Sequence, residues 1–316
     1  MTAGGPRILV LGAGSAGTRH ATLLAKSGAS VAVADPDEAR AAAVPGCEAV
    51  PYDLGRLDGF EGIVVASPPA FHADQTLAAL ATSARVLVEK PMASDTARLD
   101  DIVTAGQGRV MVGFNLRLHA PLERVAELVA GGAVGKLSSL RVWFGSWLPD
   151  WRPQVDYRQT YSARRELGGG ILDDAIHELD ILIWLLGADL DVVGSVVDTV
   201  GPLDIDVEDT VKAVLRSDTG VAVELSLDYV SRRYRRGVEA VGDRATVRLD
   251  WARAVVELED ASGVRTEPAD VPVAHSYERQ AERFLDFVAG TAAPPVDAGT
   301  GAASVRLADR IRSAAR

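Results

Sequence analysis

Between Arg7 and Phe114 five short, almost unbroken apolar runs recur at helix-length intervals: ILVL (Ile8 to Leu11), VAVA (Val31 to Ala34), GIVVA (Gly62 to Ala66), VLVE (Val86 to Glu89) and VMVGF (Val110 to Phe114). Continuous apolar strands are buried on both faces, and strands separated by helices pair in parallel, so this stretch predicts a parallel sheet covered by helices on each side. Beyond about residue 118 the pattern changes. A helical segment (Pro121 to Ala130) precedes a strand candidate (Leu137 to Trp147), a polar aromatic loop and a strongly apolar helix (Ile171 to Leu186). From Val192 to Glu259 apolar and polar residues alternate, as where Val221, Val223, Leu225 and Leu227 oppose Glu224, Ser226 and Asp228. Period-two alternation, with turn signals at Asp218-Thr219-Gly220 and Gly242-Asp243, describes antiparallel strands with one apolar and one polar face. Two helices, near Ser276 to Val288 and Gly299 to Ser313, end the chain. The reading is an α/β protein of two domains. Residues 1–118 form a doubly wound parallel sheet, and 119–316 form an α+β domain on a large, mostly antiparallel open sheet, with the C-terminal helix able to pack back on the first domain.

With 316 residues, 47% of them apolar and 24% charged, the chain is a globular protein large enough for two cores. Its net charge of −11 argues against nucleic acid as a partner, because binding a phosphate backbone needs a basic surface. Cys47 is the only cysteine, so no internal disulfide and no cysteine-based metal site can form, and a reducing cytoplasm fits best. No apolar run approaches the roughly 20 residues of a membrane span. The expectation is a cytoplasmic protein with no metal and no membrane partner.

Gly12-Ala13-Gly14-Ser15-Ala16-Gly17 directly follows the first strand and opens a helix. In such a GxGxxG turn the glycines allow a tight bend, close approach of backbone to a pyrophosphate and helix-to-strand packing, while the helix N-terminus favours the anion. Asp35, at the end of the second strand, can accept hydrogen bonds from both hydroxyls of an adenosine ribose and would repel a 2′-phosphate. Pro36-Asp37-Glu38 offers no cation for such a phosphate, so NAD is favoured over NADP. FAD is a weaker competitor, since the other signatures of a flavin site are missing.

The chain has 33 basic residues, of which only Lys26, Lys90, Lys136 and Lys212 are lysines. Lys90 ends the strand-like run RVLVEKPMA, and lysine, unlike arginine, can shift its pKa and exchange a proton when desolvated. Four segments stand in order along the chain: ASPPAFH (Ala66 to His72), EKP (Glu89 to Pro91), GFNLR (Gly113 to Arg117) and GGGILDDAIHELD (Gly168 to Asp180). Together with the glycine turn they closely resemble the Gfo/Idh/MocA oxidoreductase family, which pairs a Rossmann domain with an α/β domain built on a large open sheet. The resemblance spans nearly the whole chain. It implies that Lys90 lies beside nicotinamide and substrate with Asp173 and His177 at the same centre, and that Ser67, Pro68 and His72 run alongside the cofactor. It also implies that Glu89 and Pro91 position Lys90 across a bond that is often cis. Asp173 and His177 are four residues apart, so on one helix they share a face. The unperturbed pKa of a histidine lies near neutrality, so His177 is expected to accept the proton of a substrate hydroxyl, oriented by Asp173, while Lys90 steadies the oxygen. Asp174 reads as structural, Asp180 as a group orienting His177, and His72 as a helix-start residue rather than an acid/base.

The family resemblance implies a sugar, nucleotide-linked sugar or cyclitol as substrate. Ser146 to Gly170 is rich in rings that can stack on a sugar and in guanidinium forks that can hold an anion, with candidates Trp151, Arg152, Tyr157, Arg158, Tyr161 and Arg164. Asn115 and Arg117 follow the last parallel strand, where open α/β sheets present ligand groups. The run Arg232-Arg233-Tyr234-Arg235-Arg236 reads either as a solvated hairpin or as an anion patch. The activity implied is NAD-dependent oxidation of a secondary ring alcohol or its reversal. Alternatives are a redox-neutral enzyme that oxidises transiently and returns the hydride, and a sensor that binds NAD and a sugar without turnover. A homodimer or homotetramer is implied by the resemblance, with the open sheet face as contact surface.

Overall fold

Each of the five apolar runs is a strand of one parallel sheet in the computed structural model, which describes residues 5–187 and 189–315. The outermost bounds of the expected domains, residues 1 and 316, lie outside the described residues, as does Ala188. The sheet comprises β1 (Arg7–Leu11), β2 (Ser30–Ala34), β3 (Glu48–Ala49), β4 (Gly62–Val65), β5 (Arg85–Val88) and β6 (Val110–Val112), in the order β3-β2-β1-β4-β5-β6. Every pairing in it is parallel. Only β3, two exposed residues long, escaped the sequence pattern, being too short to carry one. Helices α1 (Ser15–Lys26), α2 (Glu38–Ala42), α3 (His72–Leu80) and α4 (Leu99–Ala105) lie between the strands, and the Asp37 side chain caps α2 by accepting from the Ala39 and Arg40 N–H groups.

The later part of the chain begins with α5 (Ala120–Ala130) and β7 (Leu137–Gly145). The predicted apolar helix at 171–186 is two helices, α6 (Ile171–Asp174) and α7 (Ile176–Leu186), broken at Ala175, whose ψ of 28° leaves the helical range. The break falls just after Asp173 and Asp174, whose carboxylates are drawn to different partners, Arg312 and Tyr229. Local periodicity does not register such tertiary pulls. Seven further strands follow: β8 (Leu190–Asp198), β9 (Thr210–Ser217), β10 (Ala222–Asp228), β11 (Arg235–Gly242), β12 (Ala245–Asp250), β13 (Val255–Asp260) and β14 (Gly263–Pro268). With β7 they form an eight-stranded sheet in the order β14-β13-β12-β11-β7-β10-β9-β8, antiparallel except for the pair β7 and β10. Val223, Leu225 and Leu227 are buried as the alternation predicts. Ser226 and Asp228, expected on a solvated polar face, are buried too, because Lys212 and Arg235 cover them.

Helices α8 (Ala274–Ala289) and α9 (Ala298–Ser313) end the chain. The residues divide into two compact units. One holds the chain up to Asn115 together with Ala274–Val305, and the other holds Leu116–Val273 and the residues from Arg306 on. In the first, Ala281, Phe284 and Phe287 of α8 join Ile8, Val10, Val33 and Val64 in one buried cluster. Gly62 makes room for this helix, since a Cβ there would lie 2.7 Å from Ile8 and 2.9 Å from Val288. Among the described residues no helix is long and apolar enough to cross a membrane. Because Phe284 is fully buried, Phe284→Ala is expected to lower stability by about 3–5 kcal/mol in urea unfolding. A loss below about 1 kcal/mol would show that α8 is not part of this core.

Candidate active site

In the first unit the parallel register sets the strand ends level, and the glycine turn leaves β1 at this edge. Gly12 has φ of +101°, and a Cβ on Gly17 would meet the Gly12 carbonyl oxygen at 1.8 Å, so both positions require glycine to close the turn. Gly14 differs: a Cβ there meets nothing within 4 Å. It stands at the N-cap of α1, where no side chain caps the N–H groups of Ser15 and Ala16. An open space in front of uncapped helix N–H groups fits a pyrophosphate. Asp35, largely buried, accepts from the Ala13 N–H at 2.7 Å through one oxygen and from the Asp37 N–H at 2.9 Å through the other. It therefore braces the turn itself, and each carboxylate oxygen keeps further acceptor capacity for a ribose hydroxyl.

Lys90 follows β5, and its peptide bond to Pro91 is cis. The carboxylate of Glu89 sits beneath it, accepting from the Lys90 N–H at 3.2 Å through Oε2 and meeting His20 Nε2 at 2.6 Å through Oε1. Burial alone would raise the Glu89 carboxyl, but the His20 contact and the Lys90 charge outweigh it and hold it below the ordinary value. Gly113 leaves the space that Glu89 fills, because a Cβ there would lie 3.1 to 3.2 Å from it. His20, on α1, carried no local signal in the sequence.

His72 is buried, with Nδ1 2.6 Å from the Pro91 carbonyl and Nε2 2.8 Å from the Ser67 carbonyl. Burial lowers its pKa, and the two carbonyl contacts and Glu89 pull the other way. Both ring nitrogens are thus engaged by the backbone, and His72 braces the Ser67-Pro68 loop against the Lys90-Pro91 turn. Ser67 Oγ donates to Gln75, which in turn donates to Tyr52. Asn115, expected at the substrate, is buried and donates to Ser276 Oγ at 2.7 Å, which ties the end of this segment to α8.

The second unit carries Asp173 and His177, both buried. Asp173 contacts Arg312 from α9, and Glu208 lies beside the same guanidinium at 3.4 Å. Burial raises the Asp173 carboxyl to about 7, Glu208 and Asp174 adding to the rise and Arg312 opposing it. Asp174 accepts from Tyr229 at 2.6 Å and also bonds Tyr161, the structural role expected of it. Asp180, expected to orient His177, instead holds Arg117 through two hydrogen bonds of 2.8 Å, with the guanidinium also over Trp184. The fork of Arg117 is therefore committed within the fold and does not reach out for a ligand.

The aromatic loop folds as a series of 3-10 turns, and its six candidates part into two groups. Trp151 meets Phe144 and Tyr229 edge-on, and Arg152 lies over Tyr161, which brings three of them to the Asp174 end of the site. Tyr157, Arg158 and Arg164 are instead tied to one another's backbone and to Asp156 and Asp204. The basic run is solvated as expected, with Arg232, Arg233, Tyr234 and Arg235 exposed, but it is not a hairpin, because β10 and β11 each pair with β7 and not with one another. Arg236 is paired with buried Glu178 at 2.6 Å, Arg235 with Asp228 at 2.5 Å, and Arg232 stacks over Trp147 at 3.6 Å. Sequence reasoning missed Arg312, Glu208, Tyr229 and Trp147, all brought in by long-range folding.

In the first unit, a glycine cradle at the end of one parallel strand and a carboxylate at the end of its neighbour make a dinucleotide-binding turn. Residues 6–114 match the family model described as an oxidoreductase family with an NAD-binding Rossmann fold, and residues 122–248 match the GFO/IDH/MocA C-terminal domain. The chain belongs to the Gfo/Idh/MocA family and is an NAD-dependent oxidoreductase acting on CH–OH groups. Among its relatives, the inositol 2-dehydrogenase of Rubrobacter xylanophilus is 30% identical over 317 residues, spanning 95% of this chain and 88% of that protein. The dTDP-3,4-didehydro-2,6-dideoxy-alpha-D-glucose 3-reductase of Streptomyces violaceoruber is 31% identical over 312 residues, spanning 90% and 87%. A solved structure of levoglucosan dehydrogenase in complex with NADH shares the fold with a TM-score of 0.86 at 20% identity, covering 98% and 97% of the two chains.

Two outcomes are expected. Gly14→Ala should fold with near-normal stability yet bind NAD more weakly in calorimetry, whereas Gly17→Ala should lose stability outright, because only its Cβ collides with the protein. Asp173 releases its proton near 7 when folded but near 3.9 when unfolded. Between those values the folded state holds the proton more tightly, so the Asp173 contribution to stability is greatest below about pH 4 and is lost as pH rises through about 7. Relative to Asp173→Asn, which does not titrate there, wild-type stability should fall over that window in paired urea titrations. A constant difference would contradict the raised carboxyl.

Proposed function

We propose that the protein moves hydride between a secondary ring alcohol of a neutral cyclitol or sugar and NAD. The first unit would bind the dinucleotide, and the second would supply the substrate-binding surface. NAD supplies the hydride acceptor when bound. His177 takes the proton of the substrate hydroxyl, Asp173 orients and charge-balances the imidazole, and Lys90 donates to the same oxygen as negative charge develops on it. The observation that carries the reading is Asp173, a buried carboxyl raised to about 7 four residues before a buried histidine. Such perturbed groups mark proton-transfer sites.

A neutral ring is favoured over a nucleotide diphosphate because four guanidinium forks that could grip phosphates are engaged by carboxylates: Arg117 by Asp180, Arg158 by Asp156, Arg235 by Asp228 and Arg236 by Glu178. Trp151, Arg152 and Tyr161 offer ring faces and a donor to such a polyol. The relatives act, by their names, on inositol and on a dTDP-linked sugar, so both classes belong in the assay. Assembly into a homodimer or homotetramer and residence in the cytoplasm belong to the same proposal and rest on the family and the cysteine usage.

The test is nicotinamide absorbance with NAD and a panel of inositols, free sugars and dTDP-sugars. Net reduction of NAD on a neutral ring, little affected by salt, is expected. Turnover without net NAD reduction would point to the redox-neutral alternative. Lys90→Ala should lower turnover by roughly 10² to 10⁴. Full turnover by that variant would remove Lys90 from the mechanism.

A further inference from the structure

The last turn of α9 is fastened to the edge strand of the large sheet. Ser195 of β8 donates to the Ile311 carbonyl at 2.6 Å and forms an isolated parallel bridge with Ala315. Between these anchors Arg312 places Nη2 against Asp173 Oδ2 and 3.4 Å from Glu208 Oε1. The two carboxylate side chains are 7% and 8% exposed, whereas that of Arg312 is 31% exposed and borders a cavity of about 300 Å³ also lined by Arg165, Thr199 and Glu208. The charged groups acting on Asp173 are thus Arg312 from α9, Glu208 from the segment before β9 and Asp174 on α6 itself, while Tyr229 after β10 donates to Asp174. Of these three groups Arg312 is the cation, and it opposes the rise that Glu208 and Asp174 add to burial.

We propose that Arg312 is a positioning residue for the reaction: it holds Asp173 in one orientation and favours its ionised form, and so sets the pH above which Asp173 can support His177 as a proton acceptor. This rests on the reading that Asp173 belongs to the catalytic machinery. With the guanidinium removed, burial and the neighbouring Glu208 act unopposed, and Asp173 holds its proton to higher pH. A lysine keeps the charge but not the planar fork, so it restores the effect only in part. Arg312 borders a cavity rather than the packed core, so its truncation opens no void among apolar side chains, and the variants are expected to fold.

The test is a ¹³C-aspartate NMR titration of the full chain, with the Asp173 signal assigned by its loss in Asp173→Asn. In Arg312→Gln the Asp173 midpoint should rise by about one pH unit or more. In Arg312→Lys it should rise by less, and this variant carries the test if the glutamine variant does not fold. The acid limb of the turnover profile on the ring substrate should move up with the midpoint while KM stays within about twofold. A midpoint unmoved in a folded variant overturns the inference, and loss of stability with that unmoved midpoint reduces Arg312 to a structural tie. Asp173→Asn separates the two levels. Full turnover by it would overturn the catalytic reading of Asp173, whereas lost turnover with an unmoved midpoint in the Arg312 variants would overturn the present inference alone.

Discussion

The parallel ladder of the first sheet is the constraint on which the nucleotide half depends. Its register pairs Leu11 with both Ala34 and Val65, Val65 with Val88, and Val88 with Val112. Hydrogen bonding at one repeat therefore sets the next residues, Gly12, Asp35, Ala66, Glu89 and Gly113, in a row along one edge. Parallel strands all present their carboxyl ends there, which is why a glycine turn, the Asp35 carboxylate and a lysine distant in sequence share one edge. A slip of one residue in any strand would turn its side chains to the opposite face and break the row.

Buried charge organises each unit in its own way. Glu89 meets His20 beneath Lys90, Asp180 holds Arg117, Glu178 holds Arg236 and Asp173 meets Arg312. A buried ion pair adds little net stability compared with apolar packing, but removing one partner leaves a desolvated charge and costs about 3–5 kcal/mol. Such pairs hold side chains in single arrangements. Asp173 differs from Asp180 in the company it keeps, because a second carboxylate, Glu208, competes for the same arginine and helps raise it to about 7. One residue type thereby has a different ionisation at each position.

The residues whose role is local were legible in the chain. Five apolar strands, the glycine turn and the alternation through β10 are short-range patterns, explained in turn by burial of both faces, by a tight bend and by burial of one face. Patterns failed where a side chain answered to a distant partner. The helix at 171–186 breaks at Ala175, Ser226 and Asp228 are covered rather than solvated, and the arginine run at 232–236 is divided among Trp147, Asp228 and Glu178. His72 and Asn115 stand at the expected strand ends, but their polar atoms are taken up by Pro91, Ser67 and Ser276.

The amino-acid sequence by itself determined the strands of the parallel sheet, the alternation of the second sheet and the glycine turn, because periodicity and motif spacing are properties of neighbouring residues. Only the tertiary structure decided which charge meets which. Arg312 lies 139 residues from Asp173 and Glu89 lies 69 from His20, and no local pattern encodes a pair closed by the folding of the whole chain. Since the ionisation of a buried carboxyl depends on such partners through Coulomb interaction and desolvation, the chemistry of Asp173 is a property of the fold and not of the motif that contains it.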